Sequence, residues 1–533
     1  MITENLLTLQ LGECLDSCLE VSRRENLEDI TTAILDVKNN LESPMLLAII
    51  GKVSSSKSTL VNAILGKADI VGTGQMEETF NVSWLKYGSP DNDIRVVFKD
   101  GSSYYVPRRE WKKWSGQEQN MLKEKVSYLE VTYDHEILKQ INIIDTPGLD
   151  SAKWIDSKNT IEFLSNVRPD AVLMVFTKGL AQSTLDVVKE FQGKSYNSFS
   201  MSPLNAIGLL SKTDYLWHVN QAESKPNQKA QRDVIDGNIY TLFPEVKKSL
   251  YSIYPICSIL GLASHTVNSH DIMLIKSLSL TNWDDLKGML HSVNDFLDEY
   301  FVTEISIDER KHLYQKFGIY GIYEAISLAK SNNLDEVSLK RLYREVSGID
   351  ILENCLYNHF GQRSILIKTQ STSQIISSAC KRQRVKSKTY SENLAVDKIQ
   401  ESVLSCLMNI FEYKQLATLT KLYENKMNIS DISAVEEYKR ICGEYGSSAM
   451  SKLGMKGETQ PTIEEMLSIV RNKKKEWNAK YHLYYNKSGD TKELYKMLFN
   501  SYDMLEKDIE EVEKKAKEAQ KVLSMANSFF YGK

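Results

Sequence analysis

Proline all but disappears after residue 255: nine of the ten prolines lie between Pro44 and Pro255, and only Pro461 follows. Proline interrupts helices and punctuates turns, so the second half of the chain is free to form long helices. Cysteine is sparse as well. The seven residues Cys14, Cys18, Cys257, Cys355, Cys380, Cys406 and Cys442 are odd in number and lack CxxC spacing, which argues against a disulfide framework and a structural zinc site. Cys14 and Cys18 stand one helical turn apart without nearby histidines, the pattern of packing residues in a reduced compartment. The eight histidines form no HExxH or other ligand spacing. No apolar run reaches the ~18 residues that a membrane-spanning helix needs. Neither sign of charge dominates, since Lys+Arg 66 against Asp+Glu 70 leaves a net charge of −4, and no nucleic-acid partner is expected. The opening MITENLLTLQLGECLD carries acids where a signal peptide needs a basic start. A cytoplasmic protein is expected, with peripheral contact at a membrane still allowed.

What is present is enough for more than one core: 533 residues, 42% hydrophobic and 26% charged. Strand-like apolar runs stand at 45–50 (MLLAII), 141–144 (INII), 171–176 (AVLMVF), 204–210 (LNAIGLL) and 253–256 (IYPI). Helical stretches between several of them imply a mostly parallel sheet with crossover helices. Residues 94–106 read as a hairpin around Asp100-Gly101, with VSYLEVTY at 126–133 as a further strand. Residues 1–43 look helical, and Ser43-Pro44 ends that pattern. In the second half, Ile463, Met466, Leu467 and Val470 keep helical spacing, and 491–528 reads as one long helix with alternating charge. Three regions are expected: a helical segment 1–43 packing with later helices, an α/β domain 44–265, and a helical neck or stalk 266–533.

The segment LLAIIGKVSSSKSTLVNAILG at 46–66 carries the chemistry. A strand ends at Gly51, a run of small and polar residues follows, and Lys57-Ser58-Thr59 open a helix. This is the layout of a phosphate-binding loop, in which backbone N–H groups and a helix N-terminus surround phosphates. Lys57 is placed to reach β- and γ-phosphates and Ser58 to bind Mg²⁺. The pattern G-x-x-x-x-G-K-[ST] is met except that Ser56 takes the second glycine's place.

Three further segments fall in the matching order. Asp145-Thr146-Pro147-Gly148 follows the strand INII, where Asp145 can hold Mg²⁺ through water and the Gly148 amide can sense a γ-phosphate. Ser211-Lys212-Thr213-Asp214 matches a guanine-reading pattern with Ser in first place. Asp214 can accept from guanine N1–H and the 2-amino group while Lys212 lays its stem over the base. Thr79 lies in the loop where a switch threonine closes over Mg²⁺. Together these segments read as a GTPase with Mg²⁺ as cofactor and GTP or GDP as ligand.

At these residues the chain resembles the dynamin superfamily, bacterial dynamin-like proteins in particular. Gly51 to Gly66 is similar to that family's GxxSSGKSTLINALLG. Gly74 to Thr79 with VSWLKYG, Asp145 to Ser151 (DTPGLDS) and Pro169 to Leu185 continue in register. Pro255-Ile256-Cys257-Ser258 stands at the fifth nucleotide motif, which frames the base. The resemblance covers roughly residues 45–265; beyond them it is architectural only. It implies an α/β P-loop GTPase domain plus a large all-α stalk, activation by dimerisation of GTPase domains, self-association through the stalk, and membrane remodelling. Carried over by position, the nucleotide set is Gly51, Ser54, Ser55, Ser56, Lys57, Ser58, Thr59, Asp145, Gly148, Ser211, Lys212, Asp214 and Ser258. Ser54 joins the charge-compensating site that orients the attacking water, and Thr79 holds Mg²⁺ and that water. Val53 replaces the glutamine that eukaryotic dynamins use there, and Ser56 the loop glycine, so slow or partner-dependent turnover is expected.

Devices for membrane contact are modest. Lys381, Arg382, Arg384, Lys386 and Lys388 form one basic cluster and Arg471, Lys473, Lys474 and Lys475 another, candidates for an anionic membrane surface that read equally as solvated helix faces. Residues 443–458 and the terminal Phe529, Phe530 and Tyr531 are further candidates for lipid contact, each more readily an internal loop or packing residues. Beside the membrane-active GTPase stands a second reading, a soluble GTP-dependent switch or scaffold acting on a protein partner with weak hydrolysis.

Overall fold

A computed structural model describes residues 2–52, 54–71, 81–110, 114, 125–148, 167–177, 204–217, 231, 234–241, 249–361, 363–446, 448–455, 461–483 and 489–531. The chain divides into two compact units, one formed by residues 42–367 and the other by 1–41 together with 368–533.

The first of these units is built on a nine-stranded sheet. Its strands are β1 (Met45–Gly51), β2 (Val82–Tyr87), β3 (Ile94–Phe98), β4 (Ser103–Val106), β5 (Val126–Tyr133), β6 (Ile141–Asp145), β7 (Ala171–Phe176), β8 (Ala206–Ser211) and β9 (Ile253–Ile256), in spatial order β4-β3-β5-β2-β6-β1-β7-β8-β9. The run β6-β1-β7-β8-β9 is parallel. β2 pairs antiparallel with β6 and parallel with β5, and β3 pairs antiparallel with both β4 and β5. Every residue of β1, β7 and β8 is buried, as central strands covered on both faces require. In register, Ile49 lies opposite Asp145 and Gly51 opposite Val175, so the carboxyl ends of these strands open on one edge. Ligands of parallel sheets bind at that edge. Gly51 is obligatory there, because a β-carbon on it would fall 2.3 Å from the Val175 carbonyl oxygen.

This unit runs on to residue 367, so it takes in helices that follow the α/β domain expected at 44–265. The reason is a shared apolar core. Trp217 beside β8 and Leu260 of the helix Ser258–Thr266 pack with Phe296, Leu313, Phe317 and Tyr343 from the following helices.

The second unit contains α1 (Ile2–Arg24) and α2 (Glu28–Glu42), whose residues Leu11, Leu15, Ile30 and Ile34 share a core with Ile376, Val396 and Val403. The Cys14 thiol donates to the Ser402 carbonyl at 3.7 Å and the Cys406 thiol to that of Gln10 at 3.8 Å. These reciprocal bonds set α1 antiparallel to the helix Tyr390–Asn409. Cys18 is buried among the same side chains, and no group of three or more His, Cys, Asp or Glu suited to a metal occurs among the described residues.

A second core in this unit joins Tyr438, Trp477, Leu498 and Tyr502, where the helix Ile463–Leu483 lies along the helix Asp490–Tyr531. Leu453 is buried in it and Met455 packs against it. Among the described residues no helix is long and apolar enough to cross a membrane.

Candidate nucleotide-binding site

β1 delivers the chain into a tight loop. Ser54 and Ser56 both take left-handed backbone conformations, with φ of 58° and 66°. For a residue with a β-carbon that region costs roughly 1–2 kcal/mol, so serine occupies the glycine position under strain. α3 (Lys57–Ile64) starts immediately after, and Thr59 is half-buried on its first turn. The loop closes on itself through Ser55 N–H to the Lys52 carbonyl at 3.2 Å, while the buried Ser55 hydroxyl has no hydrogen-bond partner among the described residues. Lys57 is only 7% exposed. Its ammonium folds back over the loop, donating to the carbonyls of Gly51 at 3.1 Å and Lys52 at 2.9 Å. Val53 lies outside the described residues.

The end of β6 supplies the opposing charge. The Ser58 hydroxyl donates to Asp145 Oδ2 at 2.9 Å, and Asp145 Oδ1 is buried without a partner among the described residues. Burial pushes the Asp145 carboxyl up to about 6, against the pull of Lys57 and the Ser58 hydrogen bond. Burial likewise lowers Lys57 to about 8, opposed by Asp145. Thr146 anchors the strand end by donating to the Ile49 carbonyl at 2.7 Å. Gly148 follows half-buried. Thr79 lies outside the described residues.

A second group gathers at the ends of β8 and β9. The Ser211 hydroxyl donates to the Ser55 carbonyl at 2.7 Å, tying this group to the phosphate loop. Lys212 is left-handed, φ 57°, with its ammonium 5.7 Å from the Tyr215 ring centroid. Burial raises the Asp214 carboxyl, opposed by a hydrogen bond from the Cys257 thiol, 3.5 Å from Oδ1. Ser258 opens α4 (Ser258–Thr266), its hydroxyl buried and unpartnered among the described residues.

The structure therefore brings Ser55, Lys57, Ser58 and Asp145 together at one pair of strand ends and Ser211, Lys212, Asp214 and Ser258 at the next. The first set offers hydroxyls, an ammonium and a carboxylate to a phosphate and a hard cation. The second offers a carboxylate and an aliphatic stem to a base. Sequence reading overlooked Cys257 as a partner of Asp214, although its place beside Ser258 was a usable signal. It also overlooked Gly318, whose β-carbon position lies 3.5 Å from Asp214 Oδ2 and which no nearby motif marks.

Residues 47–190 match the family model described as the Dynamin family. The isoniazid-induced protein IniC of Mycobacterium tuberculosis is 24% identical over 420 residues, 78% of this chain and 81% of that protein. Dynamin-like protein 2 of Campylobacter jejuni is 32% identical over 150 residues, 28% of this chain and 24% of its own. A bacterial dynamin-like protein of Nostoc punctiforme is 29% identical over 147 residues, 25% of this chain and 20% of its own. The family match begins within β1 and takes in the phosphate loop and Asp145, and by these marks residues 47–190 belong to a GTPase domain of the dynamin type.

Proposed function

We propose that this GTPase binds GTP with Mg²⁺ across the two groups of strand-end residues, hydrolyses it, and turns over fastest when two GTPase domains dimerise. The observation that carries the reading is the buried pair of Lys57 and Asp145, with Ser58 bonded to Asp145 Oδ2 and Oδ1 unpartnered among the described residues. Burying a carboxylate with one oxygen left unbonded costs several kcal/mol in round terms (~1–3 kcal/mol for an unmade bond, and more for a charged group). A site built this way gains most from a ligand that completes it.

The oxygen donors fit a hard cation: the Ser58 hydroxyl and the Asp145 carboxylate would hold Mg²⁺, with Thr79 as the third protein ligand carried over from the family. When bound, Mg²⁺ supplies positive charge against the β- and γ-phosphate oxygens. The chain does the rest by position. Lys57 exchanges its two loop carbonyls for phosphate oxygens. N–H groups of the loop and the start of α3 face the same anion. Asp214 accepts from guanine N1–H and the 2-amino group, Lys212 covers the base, and Ser258 frames it. Ser54 and Thr79 orient the attacking water, and the Gly148 amide meets the γ-phosphate. Phosphoryl transfer asks mainly for such positioning and charge neutralisation.

The test is the rate of GTP hydrolysis per molecule as protein concentration rises, with Lys57→Ala beside it. A rate that climbs with concentration and vanishes in the variant supports the proposal. A background rate at every concentration, with fluorescent GTP still bound, overturns the hydrolytic part.

Family resemblance extends the proposal to self-association through the helices and to membrane remodelling at the cytoplasmic face. One observation favours the second reading, a soluble switch that docks a protein partner. Part of each basic run is already paired with acids: Arg384 pairs with Asp397, Lys386 with Asp29 at 2.7 Å, Arg471 with Glu506 and Glu510 at 2.7 Å, and Lys474 with Asp503 and Glu506. Sedimentation with anionic vesicles in the presence of GTP separates the two, since the switch stays in solution with every lipid.

A further inference from the structure

The helix α5 (Ile307–Lys330) is far from the nucleotide motifs in sequence, yet it lies against the base-reading loop. Its course is broken at Gly318, where φ is 64° and ψ is 171°. That region is essentially reserved for glycine. The break falls at Asp214: a β-carbon on Gly318 would sit 3.5 Å from Oδ2, while the Cys257 thiol lies 3.5 Å from Oδ1. Each oxygen of the carboxylate thus has its own neighbour. On either side of the break, α5 is seated on the loop by aromatic rings. Trp217 packs 4.6 Å from Tyr323 and 5.6 Å from Tyr320, and the Tyr215 hydroxyl shares a hydrogen bond with Tyr314.

We propose that α5 is a positioning element for guanine selectivity, the break at Gly318 setting the helix backbone beside Asp214 so that helix and Cys257 together fix the orientation of the carboxylate. This rests on the reading that Asp214 pairs with guanine. Guanine offers N1–H and a 2-amino group, one for each oxygen, whereas hypoxanthine keeps N1–H and lacks the amino group. A methyl group at Gly318 would only touch Oδ2, but alanine cannot hold φ 64° and ψ 171° without strain, so Gly318→Ala shifts the helix beside the carboxylate and costs the second bond. The ratio of GTP to ITP affinity therefore reports the carboxylate's orientation, and contributions from the phosphates cancel in it.

The experiment is competition of GTP and ITP against fluorescent GDP on the full chain, for the unaltered protein, Gly318→Ala, Tyr323→Leu and Asp214→Asn. Gly318→Ala is expected to lower the GTP:ITP ratio about three- to tenfold, the worth of one hydrogen bond, with ITP affinity kept within about twofold. Tyr323→Leu loosens the seat on Trp217 and lowers the ratio in the same direction, which keeps the test decisive if Gly318→Ala does not fold. A general loss of stability would weaken both nucleotides alike and leave the ratio unmoved. An unchanged ratio in folded variants overturns the proposal. Asp214→Asn tests the underlying reading separately. A shift of preference from GTP to XTP, whose 2-carbonyl accepts from the asparagine amide, sustains the reading. No shift removes the guanine assignment itself, and the role of α5 with it.

Discussion

The hydroxyl of Ser211 donates to the backbone carbonyl of Ser55 at 2.7 Å, so the loop proposed to meet phosphate and the loop proposed to read the base are fastened by a buried hydrogen bond. Ser211→Ala leaves that carbonyl without its donor, at about 1–3 kcal/mol. The expected outcome is a lower melting temperature and a GTP affinity reduced about tenfold or less, since both halves of the site still exist but no longer hold their spacing. Thermal unfolding and fluorescent-GTP titration of the same preparation check it.

Nucleotide binding should follow a bell-shaped pH profile. Asp145 is raised by burial to about 6 and Lys57 lowered to about 8, so carboxylate and ammonium coexist fully only between those values. Affinity for GTP with Mg²⁺ falls below pH 6 as Asp145 takes a proton and above pH 8 as Lys57 loses one. The ligand-free fold responds in the opposite sense. A carboxyl raised in the folded state contributes stability at low pH that is lost as pH rises through about 6. A lysine lowered in the folded state contributes stability above its unfolded value that is lost as pH falls through about 8. The empty protein is therefore least stable where it binds best. Asp145→Asn should abolish the acid limb in a titration from pH 5 to 9; a limb that survives would show that another group titrates there.

Gly51→Ala tests the close approach of β1 and β7. The new methyl carbon would lie 2.3 Å from the Val175 carbonyl oxygen, which is backbone and has nowhere to go. Overpacking of this kind costs ~1–3 kcal/mol and sometimes more. Urea unfolding should place the loss at or above the top of that range, and a loss under about 0.5 kcal/mol would mean the strands can part.

Reversing charge at Arg384 and Lys386 should change vesicle sedimentation less than twofold. Their partners Asp397 and Asp29 already neutralise them, and such exposed pairs are worth about 0–1 kcal/mol each. Sedimentation abolished by Arg384→Glu with Lys386→Glu would show that lipid competes successfully for these cations.

The local structure around Gly51–Lys57, Asp145 and Ser211–Asp214 was legible because each is a short local pattern: a wholly buried strand, then polar residues, then a helix or turn. The sheet was legible for the same reason, its central strands being uninterrupted apolar runs. What could not be read depends on distance along the chain. The compact unit extends to 367 because Trp217 and Leu260 share a core with Phe317 and Tyr343, and nothing in the composition near 265 announces that. The two cation runs looked available because their acids stand elsewhere, Asp29 for Lys386 and Asp503 for Lys474. Gly318 is invisible for a further reason. Within an amphipathic helix a glycine reads as a mild weakness, and only the fold shows that a carboxylate lies beside it.

Lys57 gives its ammonium to the carbonyls of Gly51 and Lys52, within the loop that carries it. The loop thus carries its own plug, and departure of GDP strands no bare lysine in a buried place. Preparations stripped of nucleotide should accordingly keep their fold and regain full activity on adding GTP and Mg²⁺.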